Sequence, residues 1–222
     1  MTDWTSARAN MVTGQVLTGN VHGRRLLDAI GAIPRERFVP ATSEALAYSD
    51  VEIPLPVAAG DPQRSLLTPL TLGRLIGLAN VASTDLVLDI GCATGYSSAV
   101  LARLAASVVA LEEDDALAGR AAETLADLDV DNVAVVTGRL ADGYSPEAPY
   151  DIILVNGAVD SVPSALFDQL GDRGRLICIV GSDPVGQATE FLNEHGHISG
   201  RPSFDATASP LPGLQREPGF AF

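Results

Sequence analysis

The sequence predicts an α/β fold, a mostly parallel seven-stranded sheet with helices on both faces and a helical extension at the N-terminus. Three observations predict it. From residue 83 onward, short apolar runs alternate with helical stretches of about a dozen residues, as βαβ units require. The first of those runs closes on a glycine-bounded turn, "DIGCATG", at residues 89–95. The composition, 46% hydrophobic and 19% charged over 222 residues, is that of a globular chain with a substantial core. The chain divides in style into residues 1–82, a helical segment on the substrate side packed on the core, and residues 83–222, the α/β domain. Together they form one compact unit.

Before residue 83 the helical patterns are short. "SARANMVTGQVL" comes first. In "GRRLLDAIGAI", Leu26, Leu27, Ile30 and Ile33 recur at helical spacing, until Pro34 ends the run. "SEALAYS" is a third such piece. "VEIPLPVAAGDP" is too rich in proline and glycine for a central strand, and "AAGDPQR" reads as flexible. A helix then starts at Thr68-Pro69, with the threonine suited to the N-cap and the proline to the first helical position.

After residue 83, "DLVLDIG", "SVVALE", "NVAVVTG", "YDIILVNG" and "GRLICIVG" read as buried parallel strands. "YSSAVLARLA", "DALAGRAAETLADL" and "VPSALFDQL" read as the helices between them. "QATEFLN" and "ISGRPSFDAT" are expected to add antiparallel strands at one edge. The proline-rich tail "PLPGLQREPGFAF" is expected to lie across the surface with Phe220 and Phe222 docked.

Charge and special residues narrow the function. Fourteen basic against 28 acidic residues give a net charge of −14, which disfavours nucleic acid and anionic membranes as partners. The N-terminus lacks the pattern of a signal peptide, and no stretch reaches the length of a membrane span, so the expected location is cytoplasmic. Cys92 and Cys178 are expected as buried reduced thiols. His195 and His197 have no ligating companions nearby in sequence, and no metal site is expected.

The chemistry is carried by "VLDIGCATGYSS", residues 87–98. In an open α/β sheet, ligands sit beyond the carboxyl ends of the strands, where the strand order reverses. Asp89, Gly91, Cys92, Ala93, Gly95 and Tyr96 form this turn, and the following helix N-terminus favours an anionic group. A dinucleotide fingerprint needs glycine at 93 and 96, and Ala93 and Tyr96 stand there. The D-x-G-x-x-x-G pattern suits S-adenosylmethionine instead. Glu112, with Glu113, ends the next strand about 20 residues past the turn, the place for an acceptor of ribose hydroxyls.

On these motifs the sequence resembles the protein-L-isoaspartate O-methyltransferases. "LLDAIGAIPRERFVP" with "AYSDVEIPLP" is similar to that family's N-terminal signature, "VLDIGCATGYSSAVLARL" to its cofactor turn and "VVALEEDD" to its ribose-binding strand end. "APYDIILVNGAVDSVPSALFDQLGDRGRLICIVG" is similar to its fourth and fifth strands. The resemblance implies a Rossmann-like class I methyltransferase fold, S-adenosyl-L-methionine as cofactor, and a protein or peptide substrate whose abnormal isoaspartyl carboxylate is methylated.

The sequence also departs from the family. The family's Q-T-x-S-x-P segment, aligned on Pro69, places its serine at Leu67 and its Gln-Thr at Arg64-Ser65. Arg64 and Thr68 are the nearby polar candidates for the serine's task. The family's Gly-Asp-Gly becomes Gly138-Arg139-Leu140, with an acid returning at Asp142, and Asn156 stands where the family has Thr or Ser. A carboxylate nucleophile is ionised at neutral pH and needs no general base. Losing one orienting hydroxyl is therefore expected to weaken isoaspartyl transfer while cofactor binding persists. A family member that binds S-adenosylmethionine but methylates another substrate, or acts as a regulatory protein, is the alternative expectation.

Overall fold

The structure is a computed structural model, and it describes residues 3–57, 63–181 and 185–215. The N-terminal segment opens with α1 (Trp4–Met11), capped by Asp3, which continues as a π-helical turn over Val12–Val16. Next is α2 (Arg24–Ala32). The piece read from "SEALAYS" is tighter than an α-helix: Ala41–Leu46 is a 3₁₀ turn, and Arg35–Phe38 before it is another. Pro40 follows Arg35–Phe38 after one residue and holds Val39 in the extended conformation, which ends that turn.

β1 (Ile53–Leu55) pairs antiparallel with β2 (Arg64–Leu66), Ile53 opposite Leu66 and Leu55 opposite Arg64. This ribbon lies outside the main sheet, as the prolines require. Of the stretch read as flexible, residues 58–62 lie outside the described residues, and Arg64 belongs to a strand. α3 (Pro69–Ala79) begins as expected, with the Thr68 hydroxyl accepting from Thr71 N at 3.1 Å, and ends at Asn80 in the left-handed conformation.

The main sheet holds β3 (Leu86–Ile90), β4 (Ser107–Glu112), β5 (Val133–Thr137), β6 (Tyr150–Val159), β7 (Leu170–Val180), β8 (Gly186–Glu194) and β9 (His197–Ala206). Their order is β5-β4-β3-β6-β7-β8-β9. β5 through β7 in this order are parallel, and β8 and β9 add the expected antiparallel edge. Three helices connect strands: α4 (Tyr96–Ala102), α5 (Asp115–Asp127) and the short α6 (Ser164–Phe167). The helix expected through "VPSALFDQL" stops early. Tyr150 N draws on the carbonyl of Gln169, and Leu170 pairs with Tyr150, so the chain is already strand at 170.

Alternate residues of the strands feed two apolar clusters. Val87, Val108, Ile152, Leu154 and Ile177 pack with the N-terminal helices, α3 and α4. Leu88, Ile90, Val109, Leu111 and Cys178 face the other way, beneath Leu140, Leu166, Leu211 and Leu214. The second face is thus covered mainly by turns and by the start of the tail. Pro210 bridges to Ala158, and Leu211 N donates to the Ala158 carbonyl at 2.9 Å. Phe220 and Phe222 lie outside the described residues. No described helix is long and apolar enough to cross a membrane.

Candidate cofactor and acceptor site

The strand order reverses at β3, which has β4 on one side and β6 on the other. The crevice beyond these three strand ends is where a ligand belongs. The 91–95 turn is shaped by three left-handed residues: Gly91 (φ 71°), Ala93 (φ 54°) and Gly95 (φ 91°). Ala93 holds this conformation without glycine's freedom, at a cost of about 1 kcal/mol. Its N–H is repaid by donating to Glu112 Oε2 at 2.8 Å.

Asp89 is fully buried under the turn. Its Oδ2 accepts from Ser97 Oγ at 2.7 Å and Ser98 Oγ at 2.5 Å, and its Oδ1 accepts from Asn156 Nδ2. Burial nonetheless pushes its carboxyl up to about 6, against the pull of these three donors. Asp89 and Asn156 therefore brace β3 against β6 and α4. Cys92 is also buried, and burial raises its thiol well above the ordinary range. Tyr96 is buried with its ring 5.6 Å from that of Phe38.

Glu112 is the best-connected side chain of the site. It is fully buried. Oε1 accepts from the N–H of Glu113 at 2.8 Å and of Asp114 at 3.1 Å, which aims the carboxylate back over the turn. The rest of it is taken by Arg64. The guanidinium, 3% exposed, forms a fork on the carboxylate, Nη1 to Oε1 and Nη2 to Oε2, the latter at 2.9 Å. Sequence reasoning placed Arg64 near an acceptor and Glu112 near a ribose; the structure joins them to each other.

The remaining candidates separate. Glu113 is exposed and contributes its N–H. Arg139 is exposed beside Asp142 at 3.8 Å, and Leu140 is buried in the core. Thr68 spends its hydroxyl on the α3 cap and on Thr71 Oγ1 at 3.1 Å. Leu67 is buried, as its apolar character dictates, and lines a small cavity of about 10 Å³ with Arg35, Cys92, Tyr96, Ser97 and Asn156.

Arg35 is the residue that sequence reasoning missed. It is fully buried, with Nη2 donating to the Leu67 carbonyl at 2.7 Å and its guanidinium 4.6 Å from the centre of the Tyr96 ring. Its Nε and Nη1 are buried without hydrogen-bond partners among the described residues. Burial lowers its pKa, and Tyr96 pulls the other way. The sequence carried no signal for it: Arg35 stands beside the charged Glu36 and Arg37, and nothing local sets it apart from them.

Comparison with known proteins decides the family. The model of the protein-L-isoaspartate(D-aspartate) O-methyltransferase family matches residues 7–203. The chain belongs to this family. A protein-L-isoaspartate O-methyltransferase of Koribacter versatilis is 34% identical over 97% of this chain and 95% of its own length. A solved protein-L-isoaspartate O-methyltransferase superposes with a TM-score of 0.84 at 24% identity, over 94% of this chain and 67% of that one. A Plasmodium falciparum protein described as a member of the same family, solved with S-adenosyl-L-homocysteine, gives 0.77 at 18% identity, over 95% and 99%. These two likenesses establish the shared fold, a class I methyltransferase sheet. With the family come S-adenosylmethionine as cofactor and methyl transfer as reaction class.

The residues present fit that cofactor in their frame. The turn has left-handed glycines where a ligand approaches, and a carboxylate stands at the next strand end. They do not fit it in their present contacts. A Cβ at Gly91 would meet Leu211 at 3.1 Å and Arg64 Nη2 at 3.2 Å, so both side chains lie over the turn.

Proposed function

We propose that this protein methylates a carboxylate on a protein or peptide, isoaspartyl residues being the substrate class, with S-adenosylmethionine held over the 91–95 turn and its ribose directed to Glu112. The observation that carries this reading is the buried Glu112 carboxylate, oriented by three backbone N–H groups at the switch in strand order. When bound, the cofactor supplies an electrophilic methyl group on a sulfonium. The chain's task is then to bring a carboxylate to that group and exclude water.

Arg35 is suited to hold the acceptor. Among the described residues its guanidinium has no carboxylate partner and its Nε and Nη1 have no hydrogen-bond partner, and it lines the cavity beside Leu67. Buried cations are ordinarily paired, and a substrate carboxylate satisfies this one through charge-assisted hydrogen bonds. That places a cationic anchor next to the position where the resembled family presents a serine.

The test is transfer of labelled methyl from S-adenosylmethionine to an isoaspartyl peptide and to its normal aspartyl twin. Label in the isoaspartyl peptide alone is expected, removed by base as a methyl ester. Cofactor binding with no label in either peptide would contradict the acceptor assignment.

A further inference from the structure

We propose that Arg64 is a latch on the cofactor site, a side chain that competes with the ribose for Glu112 and leaves it when the cofactor binds. This deepens the reading above and rests on Glu112 being the ribose acceptor.

The capacity of the carboxylate makes the competition necessary. A carboxylate has about four lone-pair sites. Three backbone N–H groups, from Ala93, Glu113 and Asp114, already point at Glu112. With the two Arg64 nitrogens the donors number five, so no acceptor site is left over. A pair of ribose hydroxyls has nowhere to donate while the guanidinium stays. Two neighbouring O–H donors are, however, a direct chemical replacement for the two N–H donors of the fork. The exchange swaps two hydrogen bonds for two and leaves the backbone donors untouched.

Space gives the same answer. The cavity beside the turn measures about 10 Å³, whereas ligand pockets run to about 300 Å³ or more. Arg64 Nη2 lies over Gly91, on the backbone that a ligand must approach. Displacing Arg64 frees the carboxylate and removes one of the two side chains over the turn, Leu211 being the other.

The setting of Arg64 suits a movable part. β2 has three residues and pairs only with β1, outside the seven-stranded sheet. Among the described residues the guanidinium's Nε is buried with no hydrogen-bond partner, and Glu112 supplies the hydrogen bonds of Nη1 and Nη2. Withdrawal therefore breaks one ion pair and no strand pairing of the main sheet. In the resembled family's pattern this position is Gln, a neutral residue that cannot latch a carboxylate in this way.

Calorimetric titration of the full chain with S-adenosyl-L-homocysteine tests the latch, using the wild type, Arg64→Gln and Arg64→Lys, with thermal denaturation of each alone. Arg64→Gln is expected to bind at least tenfold more tightly while melting at a lower temperature; Arg64→Lys, which keeps the charge but loses the fork, should fall between. Affinity and stability moving in opposite directions is the signature, because a purely structural arginine would lower both. Equal or weaker binding by Arg64→Gln, with the wild type binding, overturns the latch and leaves the cofactor reading intact. Absence of binding by all three proteins overturns both.

Discussion

Asp89 shows how burial and hydrogen bonding compete at a single side chain. Its carboxyl is raised from the ordinary 3.8 to about 6, so the folded state binds this proton more tightly than the unfolded chain does. Its contribution to stability is therefore full below about pH 4 and is lost as the pH rises through about 6, amounting to about 3 kcal/mol across that window. Asp89→Asn should flatten this component: urea denaturation between pH 4 and 7 should show the variant gaining on the wild type as pH rises. A constant difference would contradict the account. The cysteines give a second expectation. Both thiols are buried, and Cys178 is pushed up to about 12, so neither should react with a thiol reagent until the protein is unfolded. At Glu112, substitution by alanine should weaken binding of S-adenosyl-L-homocysteine at least tenfold in calorimetry; unchanged affinity would sink the ribose assignment.

At the scale of elements, the α3 N-terminus was legible and its neighbour was not. Thr68 and Pro69 announce a helix start through local chemistry alone, and the cap is found where that chemistry puts it. Thr68→Ala should cost about 1 kcal/mol of stability and leave methyl-transfer kcat/KM nearly unchanged. A large loss of transfer at unchanged stability would return Thr68 to the reaction. β2 was illegible because its strand character comes from β1, across a Pro- and Gly-rich link, rather than from its own three residues. The same limit hid the Arg64–Glu112 pair, whose members are 48 residues apart. Strand and helix alternation after residue 83 was readable because each element carries its own periodicity. α6 was overestimated because the pull of Tyr150 on residues 169–170 is a tertiary effect. Arg139 and Leu140 entered as candidates through alignment with the family's Gly-Asp-Gly, yet Leu140 is apolar and the core claims it.

For the molecule as a whole, the sheet order creates a crevice at β3, and two elements from opposite ends of the chain close over it. β2 brings Arg64 and the segment after β9 brings Leu211, both directly above Gly91. The family's fold is thus kept while its cofactor turn is covered by this chain's own side chains. On the latch proposal binding opens that cover, so saturating S-adenosyl-L-homocysteine should raise the melting temperature by less than the contacts of a preformed site would give. The most direct measurement is a crystal structure of the protein with S-adenosyl-L-homocysteine. The account predicts two ribose oxygens within hydrogen-bond distance of Glu112 and the Arg64 guanidinium withdrawn from it. A bound ligand with the Arg64–Glu112 fork intact would contradict it.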